Sequence, residues 1–259
     1  ALFYMRKNSL DDCRPLMRIS TDEAKTWSEP AGVIPDDDMG YYVLNNDRVV
    51  QLKSGRLIVP VALHNRAGWK APDWAGEITC FLSDDVGQTW RCSKTRQKAY
   101  SAPEKRVVAQ EPGVVELKDG RVMMFVRTNA GVQYLSFSKD GGDSWSPLVP
   151  STIPSPQSPA SIERIPSTGD LLMVWNNHAD IPKELAGKRT PFNAAISRDE
   201  GKTWVNTRTI EDDPDGWYCY TAVEIVGEHV VLGHCSGKRS QALATTQITR
   251  FPVRWLYGE

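Results

Sequence analysis

Ser197-Arg198-Asp199-Glu200-Gly201-Lys202-Thr203-Trp204 decides the fold, because the same spelling occurs three more times in the chain. The other copies are Ser20-x-Asp22-x-Ala24-x-Thr26-Trp27, Ser83-x-Asp85-x-Gly87-x-Thr89-Trp90 and Ser138-x-Asp140-x-Gly142-x-Ser144-Trp145. Their aspartates lie 63, 55 and 59 residues apart, which is a long-period repeat. Each copy follows a short apolar stretch (Leu16 to Ile19, Thr79 to Leu82, Tyr134 to Phe137, Ala194 to Ile196), so each reads as strand, turn and Trp-led strand. The turn chemistry explains the letters: aspartate accepts bonds from nearby amides, glycine supplies a positive φ, and tryptophan packs between strands. Ala24 stands in the glycine slot of the first copy, which predicts strain or a different turn there.

A second element recurs between these turns. Val49 to Val59 through Ser54-Gly55, Val114 to Met124 through Asp119-Gly120, Ile162 to Met173 through Gly169, and Ala222 to Leu232 through Gly227 all read strand, glycine turn, strand. One unit is then two hairpins, or four antiparallel strands in roughly 60 residues, with almost no helical periodicity anywhere. Repeated four-stranded units of this length predict an all-β propeller, whose radial blades hide most strand edges.

Composition bounds the partners. The 259 residues carry 31 Lys+Arg against 32 Asp+Glu, a net charge of −1 with both signs interspersed, which gives no basis for a nucleic-acid partner. Apolar runs such as Leu57 to Leu63 are far too short to span a bilayer. Cys13, Cys80, Cys92, Cys219 and Cys235 are scattered without a C-x-x-C pair and are expected to be reduced and structural, with one or two disulfides as the alternative. The four histidines show no metal-ligand spacing, and no metal or cofactor is expected; Asp36-Asp37-Asp38 and Asp212 to Gly216 read as acidic turns, with a calcium loop as the alternative. The chain opens with Ala1-Leu2-Phe3-Tyr4, so the sequence leaves the compartment open, secretion or periplasm included.

The four copies resemble the Asp-box (BNR) repeats of the sialidase, or neuraminidase, superfamily. The resemblance implies a six-bladed β-propeller, with 1–259 as a single domain of about four and a half blades that is incomplete at its N-terminus. It also implies that the box aspartates Asp22, Asp85, Asp140 and Asp199 stabilise outer turns of blades and are not catalytic.

Chemistry is therefore sought where the repeats differ. Aligned on their glycine turns, Asn46, Glu111, Pro159 to Ser161 and Tyr220 open the innermost strand, while Arg6, Arg127, Asn176 and His234 fall near the end of the next. Both sets crowd one mouth of the propeller. In order and approximate spacing, Glu111, Arg127, Arg189 and Tyr220 are similar to the sialidase pattern of Glu, Arg on the same hairpin, Arg one blade on, and Tyr opening the last blade. The resemblance implies Tyr220 as nucleophile, Glu111 as its general base, and Arg127 and Arg189 as members of an arginine cluster for the substrate carboxylate. A neutral phenol avoids the repulsion that a carboxylate nucleophile meets at an anomeric carbon bearing a carboxylate, and sialidases are the tyrosine exception among retaining glycosidases. With an ordinary pKa near 10, tyrosine needs a neighbouring base.

Read from the residues alone, alternatives stay open. Glu111 precedes Pro112 and also fits a solvent-facing strand start; Arg189 also fits a solvated loop from Lys183; and only one of Tyr218 and Tyr220 is expected to face the funnel, Tyr220 being preferred. Arg6, Asn46, Asp47 and Arg48 are further substrate-binding candidates, and the insertion His64 to Trp74 offers Trp69 and Trp74 as a sugar platform, a lid or plain loop packing. The family also uses an early-blade aspartate acid/base and a first arginine, neither of which has a convincing position here. The expected function is that of an exo-sialidase-type retaining glycosidase releasing terminal sialic acids from glycans. The rivals are a silent propeller binding glycans or proteins, and a glycosidase or lyase acting on another acidic sugar.

Overall fold

In the computed structural model, which describes residues 1–258, the chain is strand and turn, and its helical pieces are 3₁₀ turns only. Among the described residues no helix is long and apolar enough to cross a membrane. The first sheet holds β1 (Leu2–Lys7), β2 (Cys13–Arg18), β3 (Ala31–Gly32), β4 (Tyr41–Val43), β5 (Val50–Gln51), β6 (Leu57–Asn65), β7 (Glu77–Ser83) and β8 (Arg91–Cys92). Its order is β1-β2-β4-β6-β7-β8, with β3 on β2 and β5 on β6. A hairpin of β9 (Ala99–Ala102) and β10 (Lys105–Val107) follows. Two four-stranded sheets come next: β11 (Ala109–Glu116), β12 (Val122–Thr128), β13 (Val132–Ser138) and β14 (Val149–Pro154), then β15 (Ser161–Arg164), β16 (Leu171–Trp175), β17 (Phe192–Ser197) and β18 (Val205–Glu211). The last sheet has three strands, β19 (Gly216–Val226), β20 (His229–Lys238) and β21 (Thr246–Pro252).

The repeat predicts separate four-stranded units, and the third and fourth sheets match it. The first eight strands form one sheet because a single parallel pair, Cys13 with Tyr41, joins β2 to β4. The β9–β10 hairpin is an addition the repeat does not foretell, since it carries neither box nor glycine turn.

The four boxes are built alike. In the first, second and fourth, aspartate Oδ1 accepts from the box serine hydroxyl (2.8, 2.8 and 2.9 Å) and from the threonine amide (2.9, 2.8 and 2.9 Å). Oδ2 takes the threonine hydroxyl at 2.6, 2.6 and 2.7 Å. These bonds, the threonine hydroxyl foremost, hold the Asp22, Asp85 and Asp199 carboxyls down to about 2. Asp140 likewise accepts from Ser138 and from the Ser144 amide, both at 2.8 Å. Each turn closes through two consecutive left-handed residues, of which the sequence marks only the second. Ala24 adopts φ 66 where Gly87, Gly142 and Gly201 take φ 85, 87 and 82, so the first box keeps the turn and carries the strain.

The chain divides into two compact units, one of Ala1–Glu116, Gly120–Met124 and Ser136–Val149, the other of Leu117–Asp119, Phe125–Leu135 and Pro150 onwards. The first is centred on Met17, Tyr42, Val59, Val61, Leu63 and Phe81, the second on Leu172, Val174, Phe192, Ile196, Val230 and Leu232. Alternate residues of β6 and of β16 supply these faces, as strand geometry requires. β6 is buried on both faces from Ile58 to Asn65, which is why Leu57 to Leu63 reads as an unbroken apolar run.

Candidate active site

In the second unit, β19 carries Tyr218 and Tyr220 two positions apart. Residues so spaced share a face in an unbroken strand, so alternation does not separate them. A bulge does: Cys219 pairs with Cys235 and Ala222 with Gly233, leaving one residue of β20 opposite two of β19. Tyr220 takes φ 54 in this bulge. Tyr218 folds back over Gly216 and is 5% exposed, stacked on Phe192 at 6.0 Å, while Tyr220 is only half-buried. The two tyrosines thus differ in burial because of the bulge and not because of strand alternation.

Arg189 comes to meet this bulge. Its carbonyl accepts the Tyr218 amide at 3.1 Å, which pins the loop to β19. Its guanidinium carbon lies 4.6 Å from the Trp217 ring centre and 5.1 Å from that of Tyr220. The residue is 7% exposed, which removes the solvated-loop alternative. Burial is the strongest influence on its charge and opposes it, yet Cys219 and Tyr220 together outweigh burial and raise its pKa above the ordinary arginine value. Trp217, the second ring under Arg189, was not singled out by the sequence; its position three residues before Tyr220 becomes meaningful only with the bulge. Beside this end of the hairpin, Asp215, Lys238, Arg239 and Ser240 line a cavity of about 660 Å³. Arg127 belongs to the same unit, half-buried on β12 between the buried Val126 and Thr128.

Glu111, Arg6, Asn46, Asp47, Arg48 and Trp69 belong to the first unit. Glu111 is half-buried near the start of β11 and takes φ 52. Asp47, just ahead of β5, takes φ 56, so Asp47, Glu111 and Tyr220 are three of the eleven non-glycine residues with positive φ among those described. Such backbone costs on the order of 1 kcal/mol or more per residue and is concentrated at functional positions. The insertion pins the Glu111 segment: the Ala109 amide donates to Ala75 O at 2.7 Å, and Gln110 Nε2 to Trp74 O at 2.9 Å. His64 is 2% exposed, with Nδ1 3.1 Å from Asp73 O; burial lowers its pKa, against a smaller opposite pull from Asp73 and Glu111.

The remaining candidates separate. Asn46 and Asp47 are exposed and Arg48 is buried. Arg6 lies exposed on β1, paired with Arg14 across the strands, and lines a cavity of about 330 Å³ with it. Trp69 packs partly buried against the first unit's core, under Lys98, whereas Trp74 is 51% exposed and lies edge-on to Tyr41 at 5.8 Å. Asp38, from the acidic turn, is ion-paired with both Arg66 and Arg96 and accepts from the Tyr42 hydroxyl at 3.0 Å. Among the described residues no group of three or more His, Cys, Asp or Glu side chains could hold a metal ion.

A family model described as BNR repeat-like domain matches residues 1–231. The anhydrosialidase of Macrobdella decora is 27% identical over 216 residues, covering 79% of this chain and 25% of the relative. The intramolecular trans-sialidase from Ruminococcus gnavus superposes with a TM-score of 0.68 at 22% identity, covering 95% of this chain and 51% of its own. NanB sialidase from Streptococcus pneumoniae superposes with a TM-score of 0.67 at 21% identity, covering 91% and 34%. The all-β fold is thus that of the sialidase β-propeller, and the chain spans about a quarter of the length of the Macrobdella decora relative.

Proposed function

This chain belongs to the BNR repeat-like family of the sialidase superfamily, and on that premise we propose that it carries part of the site of a retaining exo-glycosidase for terminal sialic acids. In this reading the Tyr220 phenol attacks the anomeric carbon as the glycosidic bond breaks and the departing oxygen takes up a proton, and Glu111 takes the phenol proton. Arg127 and Arg189 receive the sugar carboxylate in paired, charge-assisted bonds, and water then releases the sugar from Tyr220. The observation that carries the reading is the buried Arg189 guanidinium 5.1 Å from the centre of a Tyr220 ring held in a left-handed bulge. A guanidinium held beside that ring is available to a carboxylate borne by the carbon that Tyr220 attacks.

The test is an assay of the complete protein on a fluorogenic sialoside, with trapping by a 3-fluoro-sialosyl fluoride. Covalent labelling at Tyr220 is the expected result. Turnover that survives Tyr220→Phe would overturn the assignment, and binding without turnover would favour a silent propeller. A second reading is favoured by the relatives themselves, two of which are named for anhydro-sugar formation or intramolecular transfer. There, a hydroxyl of the bound sugar displaces Tyr220 in place of water. Mass analysis separates the two, because the anhydro product is lighter by one water.

A further inference from the structure

Two elements of the first unit lie outside the repeat, the insertion that leads from β6 to β7 and the β9–β10 hairpin, and they meet at one ion pair. Arg106, on β10, donates from Nη2 to Asp73 Oδ2 at 3.0 Å and to Gly76 O at 2.5 Å, and from Nη1 to Ala99 O at 3.4 Å. Its guanidinium carbon lies 5.5 Å from the ring centre of Tyr100, its partner residue on β9. Lys98 Nζ reaches the same Asp73 oxygen at 3.4 Å. The side chains of Arg106 and Asp73 are 23% and 27% exposed, so water screens them less than it does a surface pair.

Asp73 sits on a closed turn. Its Oδ1 accepts the Ala75 amide at 3.0 Å, its carbonyl accepts the Gly76 amide at 2.9 Å, and its own amide donates to His64 O at 2.7 Å. Burial is the strongest influence on the Asp73 carboxyl and opposes its charge, yet Arg106, Lys98 and the Ala75 amide together outweigh it and hold the pKa below the ordinary value.

The turn held in this way is the one that touches the Glu111 segment. Trp74 O and Ala75 O accept from Gln110 Nε2 and the Ala109 amide. Gly76 passes so close that a Cβ there would lie 2.3 Å from the Ala109 carbonyl oxygen. Glu111 follows two residues later in left-handed backbone, which a non-glycine residue keeps only where its surroundings over-determine it. The contacts thus run from the added hairpin to Asp73, from the Asp73 turn to Ala109 and Gln110, and from these along the chain to Glu111.

We propose that Asp73 and Arg106 are positioning residues for Glu111: their ion pair fixes the turn from Asp73 to Gly76, and that turn fixes the backbone from which the Glu111 carboxylate reaches its proton. This rests on the reading of Glu111 as the general base for Tyr220. A base slightly out of place transfers the proton poorly while the sugar still binds, so kcat carries the loss and KM does not.

The experiment compares Arg106→Gln, Arg106→Lys and Asp73→Asn with Arg56→Gln in the complete protein. Steady-state kinetics on a fluorogenic sialoside, the rate of covalent labelling by 3-fluoro-sialosyl fluoride and thermal unfolding are measured for each. Arg56 is the matched control, a clamp of similar exposure in the same unit, bonded to Asp84 at 2.6 Å and to Asp140 O at 3.0 Å in two box turns. Arg106→Gln should lower kcat and the labelling rate about tenfold with KM changed less than about twofold. Asp73→Asn, which keeps an acceptor for the Ala75 amide, should do the same and serves alone if Arg106→Gln does not fold. Arg106→Lys, which retains a cation for Asp73, should recover most of the loss. Arg56→Gln should unfold earlier than the parent yet keep its kcat.

The positioning role is overturned if Arg106→Gln and Asp73→Asn keep the parent's kcat, or if KM rises in step with the fall in kcat. It is overturned equally if Arg106→Lys recovers nothing, or if Arg56→Gln loses as much kcat as Arg106→Gln. Glu111→Gln tells the two readings apart: it should slow labelling more than Arg106→Gln does, and if it leaves labelling unchanged the general-base reading falls and the positioning role with it.

Discussion

The Arg189 guanidinium carbon lies 5.1 Å from the Tyr220 ring centre, and the Arg189 carbonyl is tied to the residue two before that tyrosine. One hairpin thus fixes both partners, through the backbone of the arginine and the bulge of the tyrosine.

Substituting Arg189 therefore separates charge from shape. Arg189→Lys keeps the charge and loses the planar fork, so kcat/KM of the complete protein toward a sialoside should fall on the order of 100-fold while the thermal midpoint stays near the parent's. Tyr220→Phe should lower kcat by about 1,000-fold or more, with KM little changed. Steady-state kinetics on the folded variants checks both.

Gly76 and Gly55 both adopt left-handed backbone, at φ 80 and 92. A Cβ at Gly55 meets nothing within 4 Å, whereas one at Gly76 runs into the Ala109 carbonyl that leads into the Glu111 segment. Gly55→Ala is expected to cost about 1 kcal/mol, the strain alone. Gly76→Ala is expected to cost about 3 kcal/mol, because backbone has to move. Urea unfolding of the two variants measures the difference.

Stability should fall in acid through the boxes. Asp22, Asp85 and Asp199 are each lowered from 3.8 to about 2, chiefly by a threonine hydroxyl. A depressed carboxyl contributes fully above its unfolded value and loses that contribution as pH falls through the folded one, so the window runs from about pH 4 down to about pH 2. Urea midpoints followed through that window should drop for the parent and less steeply for Asp85→Asn, which has no carboxyl to protonate.

All five cysteines are free thiols; Cys13, Cys80, Cys219 and Cys235 are buried and Cys92 is partly exposed. Burial pushes the Cys219 thiol up to about 11, far from the thiolate that reacts. A chromogenic thiol reagent should therefore titrate Cys92 alone in the native protein and all five after denaturation, and reductant should leave the thermal midpoint unchanged.

The box turns and glycine hairpins were legible in the sequence because their bonds close within a few residues: Ser83, Asp85, Gly87 and Thr89 satisfy one another without help from elsewhere. The core was legible for a similar reason, since β16 and β17 alternate or run apolar as their burial demands. Candidate site residues were legible as letters that break the repeat, including Glu111, Arg127, Arg189 and Tyr220. Their environments were not. Whether Arg189 is a solvated loop residue or a buried cation depends on β19 passing beneath it, and Trp69 and Trp74, alike in the sequence, part once Trp69 packs on the core and Trp74 stays exposed.

The sequence by itself determined the repeat, the turn chemistry of each box and the strand content, because these follow from hydrogen bonds and side-chain periods inside short windows. The tertiary structure alone decided which tyrosine leaves the core, and where the backbone turns left-handed at Asp47, Glu111 and Tyr220. At Tyr220 the reason is register: a bulge is set by the strand that pairs across the sheet, and no window containing only Tyr218 to Tyr220 holds that partner.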